Sequence, residues 1–139
     1  MYLLDTNVLS EFRRGPKAAP GVAAWERATP SELMFITPIS VAELNFGWRS
    51  LLGRNAVQAG LLRDWVDRLL DHFAGRVVPI DLRTGLEFGR LQIGRAKPIA
   101  DLWIAATALA NDLTIVTRNT ADFADTGVRL LDPWLHPEA

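Results

Sequence analysis

Short apolar runs alternate along the chain with longer stretches of helical periodicity. Tyr2-Leu3-Leu4 is the first run, and Val8, Leu9 and Phe12 resume at helical spacing. A strand followed by a helix is predicted, with Asp5, Thr6 and Asn7 at the junction. Thr6 and Asn7 are residue types that end strands and cap helices. Arg13-Arg14-Gly15-Pro16-Lys17 is a basic turn with two breakers, and Pro20 opens a short helix through Val22, Ala23 and Trp25. Met34-Phe35-Ile36-Thr37 reads as a second buried strand, stopped by Pro38. Ser40 to Leu52 reads as a helix with the stripe Val41, Leu44, Trp48 and Leu51, and Ser40-Val41-Ala42-Glu43 has the form of a capping box. After a turn at Gly53 and Asn55, a long helix runs from about Ala56 to Phe73. Its apolar stripe is Val57, Leu61, Trp65, Leu69 and Phe73. The two form a helical hairpin.

The second half continues the alternation. Val77-Val78-Pro79-Ile80 reads as a short strand near an edge, because proline cannot donate to a ladder. Asp81 caps a helix through Leu86, Phe88 and Leu91, in which Gly85 and Gly89 share a face that permits close packing. A loop, Arg95-Ala96-Lys97-Pro98-Ile99-Ala100, leads into a helix from Asp101 to Ala110 that is apolar on nearly all sides and so buried. Leu113 to Thr117 is a β-branched strand, Arg118 to Phe123 follows at its carboxyl end, and Val128 to Leu131 gives a last strand stopped by Pro133. The expected fold is α/β: a mainly parallel central sheet flanked by helices, with a helical hairpin after the second strand. One domain spanning residues 1–139 is expected.

Composition narrows the chemistry. The 139 residues are 49% hydrophobic and 22% charged, with a net charge of −1, so neither disorder nor a bulk nucleic-acid coat fits. Without cysteine there is no disulfide, thiolate nucleophile or cysteine zinc site. The two histidines, His72 and His136, neighbour no second ligand or nucleophile, and His72 reads as a surface residue at a helix end. No signal peptide is evident and no apolar run reaches the roughly 18 residues that span a bilayer, so a cytoplasmic protein with no membrane partner is expected.

Four acids fall at comparable places in the alternation. Asp5 follows the first strand, Glu43 lies in the first turn of the helix after the second, Asp101 opens the buried helix, and Asp122 follows the strand Leu113–Thr117. Right-handed crossovers bring such junctions to one edge of a parallel sheet. Three of the four also have a purely structural role open to them: Asp5 as a helix cap, Glu43 as half of the capping box, Asp101 as a charge on a helix dipole. Crowded carboxylates repel unless a cation neutralises them or some take up protons. An all-oxygen set suits Mg²⁺ or Mn²⁺ and metal-assisted hydrolysis of phosphodiesters. Thr6, Asn7, Thr117 and Asn119 could hold the carboxylates or bound water.

Leu4-Asp5-Thr6-Asn7-Val8-Leu9 resembles the opening motif of PIN-domain nucleases. Ile39-Ser40-Val41-Ala42-Glu43-Leu44, Asp101-Leu102-Trp103-Ile104-Ala105-Ala106 and Thr117-Arg118-Asn119-Thr120-Ala121-Asp122-Phe123 resemble the second, third and fourth, in order and across the whole chain. The small size makes it similar to VapC-type toxins of type II toxin–antitoxin pairs. The resemblance implies a PIN-like domain and a Mg²⁺-dependent endoribonuclease with Asp5, Glu43 and Asp101 as acidic core. Asp5 and Asp101 are the implied metal ligands, and Asp122 or the nearby Asn119 is the fourth position. It also implies a homodimer and a VapB-type antitoxin, for which the hairpin over Ser40–Phe73 offers a groove. RNA would need basic contacts near the acids. Arg13, Arg14, Lys97 and Arg118 are the candidates, with Lys17, Arg49 and Arg95 beside them. A haloacid-dehalogenase-type phosphatase would want a second aspartate where Asn7 stands. The remaining alternative is a catalytically inactive PIN-like module that binds RNA or protein.

Overall fold

In the computed structural model, residues 1–92, 94 and 96–138 are described; Arg95 lies outside them. Strand β1 (Tyr2–Leu4) occupies the middle of the sheet and leads into helix α1 (Thr6–Arg13). Helix α2 (Pro20–Ala28), strand β2 (Met34–Phe35), and helices α3 (Pro38–Leu51) and α4 (Ala56–His72) follow. Helices α5 (Leu82–Leu91) and α6 (Ile99–Ala110) precede strands β3 (Thr114–Val116) and β4 (Leu130–Leu131). The strand order is β2-β1-β3-β4, every pairing parallel. Among the described residues no helix is long and apolar enough to cross a membrane.

Strand alternation splits the core in two. Leu4 and Val116 point to the face covered by α1 to α4, where they join Val8, Leu9, Trp25, Leu44 and Phe73. Leu3 and Ile115 point to the face covered by α5 and α6, among Leu91, Leu102, Ile104 and Phe123. Neighbouring residues of one strand thus anchor opposite layers, and the ends of β1 and β3 have no freedom to shift. Asp5 N–H closes the ladder onto the Val116 carbonyl at 3.0 Å, which places Asp5 beside Thr117.

The helical hairpin is present, with α3 packed on α4. Details of the hairpin and of α5 correct the sequence reading in three ways. Helix α3 is capped by Thr37, whose hydroxyl accepts from Ser40 N–H at 3.1 Å, with Pro38 at the first position. There is no Ser40–Glu43 capping box, and Glu43 lies in the second turn. The buried face of α4 is Ala59, Val66, Leu69 and then Phe73, while Val57 and Leu61 are exposed. A strict four-residue repeat drifts around a helix of 3.6 residues per turn, so its early members leave the core face. Gly85 and Gly89 pack against nothing, since a side chain at either would meet open space.

Every strand after the first falls short of expectation: β2 stops at Phe35 rather than Thr37, and β3 covers Thr114–Val116 rather than Leu113–Thr117. Val77 makes only an isolated parallel bridge to Ile36, extending the β2 edge without forming the strand Val77–Ile80. The last strand is reduced to Leu130 and Leu131. Asp81 caps α5 as expected, accepting from Thr84 N–H and Oγ1 at 3.0 Å. His72 ends α4 and is exposed.

Candidate acidic active site

The carboxyl ends of β1 and β3 lie side by side, and their polar residues form one hydrogen-bonded group. Asp5 is buried, and its Oδ1 accepts from Thr6 N–H at 2.8 Å, so it does cap α1. Its Oδ2 accepts from Thr117 Oγ1 at 2.8 Å and from Asn7 Nδ2 at 3.3 Å. Asn7 Nδ2 also reaches Thr117 Oγ1, while Asn7 Oδ1 accepts from Arg118 N–H at 3.3 Å. Asn119 contributes its backbone, donating N–H to Thr117 Oγ1 at 3.0 Å. Capping and site-building are therefore one arrangement: the donors that satisfy the helix end also fix the carboxylate plane.

Glu43 is held from a different layer. Thr6 Oγ1 donates to Glu43 Oε1 at 2.9 Å and stands 3.0 Å from the hydroxyl of Ser40, which is fully buried. Ser40 was missed as a site residue. Its spacing of three from Glu43 places both on one helix face, which is the signal that could have found it. Asp101 lies in the first turn of α6, and Asp122 is exposed in the 3-10 turn Thr120–Phe123.

Electrostatics show that these acids share one field. Asp101 is pushed up to about 6, first by burial, then by the charges of Asp5, Asp122 and Glu43, with Lys97 opposing. Asp5 is also raised by burial, against the hydrogen bonds from Thr117 and Thr6, with Asp122 adding to the rise. Asp122 acts on both aspartates, which favours it over Asn119 as the fourth acid. Among the described residues no three carboxylate or histidine side chains meet as a ready cage for a metal. The donor set nonetheless fits a hard divalent cation: oxygen ligands only, excess negative charge, and one carboxylate whose proton affinity is abnormally high.

The basic candidates separate into two groups. Lys97 pairs with Asp125 at 3.4 Å and lies close enough to lower Asp101. Arg118 follows Thr117 directly, with its guanidinium 5.2 Å from the centre of the Trp134 ring. Lys97 belongs to the acidic edge, and Arg118 joins it through its backbone N–H on Asn7 Oδ1. Arg13 and Arg14 do not belong there. They sit at the far end of α1, roughly 12 Å along the axis from Asp5 at 1.5 Å per residue. Arg13 lies over the Trp65 ring at 6.0 Å and Arg14 pairs with Glu11 at 3.0 Å. Arg49 lies over the Trp48 ring at 4.5 Å, and Lys17 is exposed in the turn before α2. The helix carries the chain away from the sheet edge, a distance that basic residue counts do not reveal.

The PIN domain family profile matches residues 2–128. The toxin FitB of Neisseria gonorrhoeae is 35% identical over 140 residues, covering 96% of this chain and 99% of that one. The VapC ribonuclease Y4jK of Sinorhizobium fredii is 36% identical over 143 residues, covering 96% and 98%. The crystal structure of FitAcB from Neisseria gonorrhoeae superposes with a TM-score of 0.86 at 34% identity, covering 97% of this chain and 99% of that chain.

Proposed function

The chain belongs to the PIN domain family, and on that premise we propose that it is a divalent-metal-dependent endoribonuclease acting as the toxin of a VapBC-type pair. The observation that carries this reading is the rise of Asp101 to about 6 under the charges of Asp5, Asp122 and Glu43. A fold that concentrates four carboxylates at one edge accepts a destabilising repulsion, and a function that needs a cation there explains it. Asp5 and Asp101 would hold Mg²⁺, with Mn²⁺ able to replace it. Such an ion, when bound, neutralises phosphoryl charge and makes water more acidic.

The chain's own residues supply the rest. Thr117, Asn7 and Thr6 N–H take three of the roughly four acceptor positions on Asp5, leaving its carboxylate one direction for a ligand. Thr6 fixes Glu43 through Oε1, so Oε2 is the oxygen free to orient water or accept its proton. Lys97 and Arg118 would meet RNA phosphates that approach the acids. A VapB-type antitoxin as partner belongs to the same reading, supported by the naming of FitB as a toxin and of Y4jK as a VapC ribonuclease, and a homodimer is the assembly proposed with it.

The test is cleavage of total cellular RNA by the antitoxin-free protein with Mg²⁺ or Mn²⁺, with chelator, and with Asp5→Ala prepared identically. Discrete fragments are expected from the metal-loaded protein alone. Equal cutting by Asp5→Ala would mean a contaminating nuclease. No cutting by the folded, metal-loaded protein would replace this reading with a binding module.

A further inference from the structure

Glu43 lines two surfaces. One side of it meets the acidic edge; the other borders an open depression of about 420 Å³ lined by Ile39, Ala42, Phe46 and Ala100. Phe46 lies three residues beyond Glu43, less than one turn along α3, and is 74% exposed. It enters none of the ring–ring or cation–ring contacts made among the described residues. Ala100 precedes Asp101 in α6, so the depression touches elements that carry two of the four acids. Resting on the nuclease reading above, we propose that Phe46 is a stacking platform for the nucleobase next to the scissile phosphate, and that it helps to set which RNA is cut.

Three features of the depression select this occupant. Its lining carries no cation and includes the Glu43 carboxylate, so it does not suit a phosphate. The rest of its lining is apolar (Ile39, Ala42 and Ala100) with a single aromatic ring, Phe46, and a ring can stack on the flat face of a base. A base hangs from the same sugar that bears the reacting phosphate. Once that phosphate is among Asp5, Glu43 and Asp101, one of the two flanking bases must fall within a nucleotide of Glu43. Stacking needs no hydrogen-bonding code, so the platform tolerates several bases while favouring those that stack best.

The experiment compares wild type, Phe46→Ala and Phe46→Trp on a short single-stranded RNA containing one mapped cut, and on the same RNA with an abasic residue on either side of that cut. Phe46→Ala should raise KM by about five- to hundredfold, the worth of one base–aromatic stack, and move kcat at saturating RNA much less. Phe46→Trp should restore KM. One of the two abasic substrates should bring wild type and Phe46→Ala to the same KM. Manganese titration and sedimentation of all three proteins accompany the kinetics. Wild-type KM in Phe46→Ala, or retention of the difference on both abasic substrates, would overturn the platform while leaving the nuclease standing. A change in sedimenting mass in Phe46→Ala would assign the ring to contact with a second copy of the chain, and also overturn it. Wild type that binds manganese but cuts no RNA would overturn both readings together.

Discussion

At the scale of single residues, charge crowding at Asp101 has consequences of known sign. Burial and the neighbouring acids push its carboxyl up to about 6, against roughly 3.9 for an unfolded aspartate. Between those values the folded state binds more protons than the unfolded one, so this group's contribution to metal-free stability is full below about 4 and is lost as pH rises through about 6. Asp101→Asn removes the repulsion. It should raise the metal-free Tm by a few degrees at pH 7.5, with the gain vanishing near pH 4, while abolishing RNA cleavage. A lower Tm at pH 7.5 would show that Asp101 is compensated by something else. In the wild type at limiting metal, activity should fall as pH drops through about 6, because protonation and metal binding compete for the same oxygens. Thr117 offers a second test. Its buried hydroxyl is the shortest side-chain donor to Asp5, and Thr117→Val leaves that acceptor with fewer partners. Metal affinity should fall about 10- to 100-fold by calorimetry, with stability reduced by about 1–3 kcal/mol.

At the scale of elements, helix ends decide where the acids stand. Thr37 caps α3 and Pro38 fixes its first turn, which moves Glu43 out of the capping position and frees it to meet Thr6. Thr37→Ala should therefore cost about 1 kcal/mol in urea unfolding, the usual loss of a cap. Ser40→Ala should cost less in stability, and show itself instead as a weaker effect on cleavage through Thr6 and Glu43. The reverse ranking of stability would restore the Ser40 capping box. That box was the natural reading of Ser-x-x-Glu, because Thr-Pro before it reads equally well as the end of a strand. The four-residue stripe of α4 failed for a comparable reason. Periodicity identifies a helix well, but its phase is set by which neighbour the helix meets, and only Leu69 and Phe73 of the five predicted positions are fully in the core.

At the scale of the molecule, the carboxyl-terminal segment closes back on α2. A Cβ at Gly21 would lie 2.6 Å from the Trp134 carbonyl oxygen and 2.8 Å from that of Pro133, both backbone atoms. Gly21→Ala should cost about 1–3 kcal/mol and displace Trp134, on whose ring the Arg118 guanidinium rests. The denaturation midpoint should fall and KM for RNA should rise. Gly85→Ala, facing open space in mid-helix, is the control and should leave stability unchanged or raise it by up to about 1 kcal/mol. Equal stability of both variants would mean that the segment is free to move away from α2.

The alternation of strand and helix, the parallel sheet, the hairpin and the four junction acids were determined by the sequence itself. Each depends on local properties: β-branched runs, helical spacing, and polar residues where an element must end. The absence of cysteine and the scarcity of histidine likewise leave oxygen as the main ligand atom that the sequence offers a metal. Tertiary structure alone decided that Asp122 reaches the field of Asp5 and Asp101, that Ser40 backs Thr6 and Glu43, and that Arg13 and Arg14 stand apart from the acids. These are distances between residues far apart in the chain. They are fixed when β1 and β3 pair in register and α1, α3 and α6 pack on opposite faces of the sheet, a cooperative outcome that no single segment encodes.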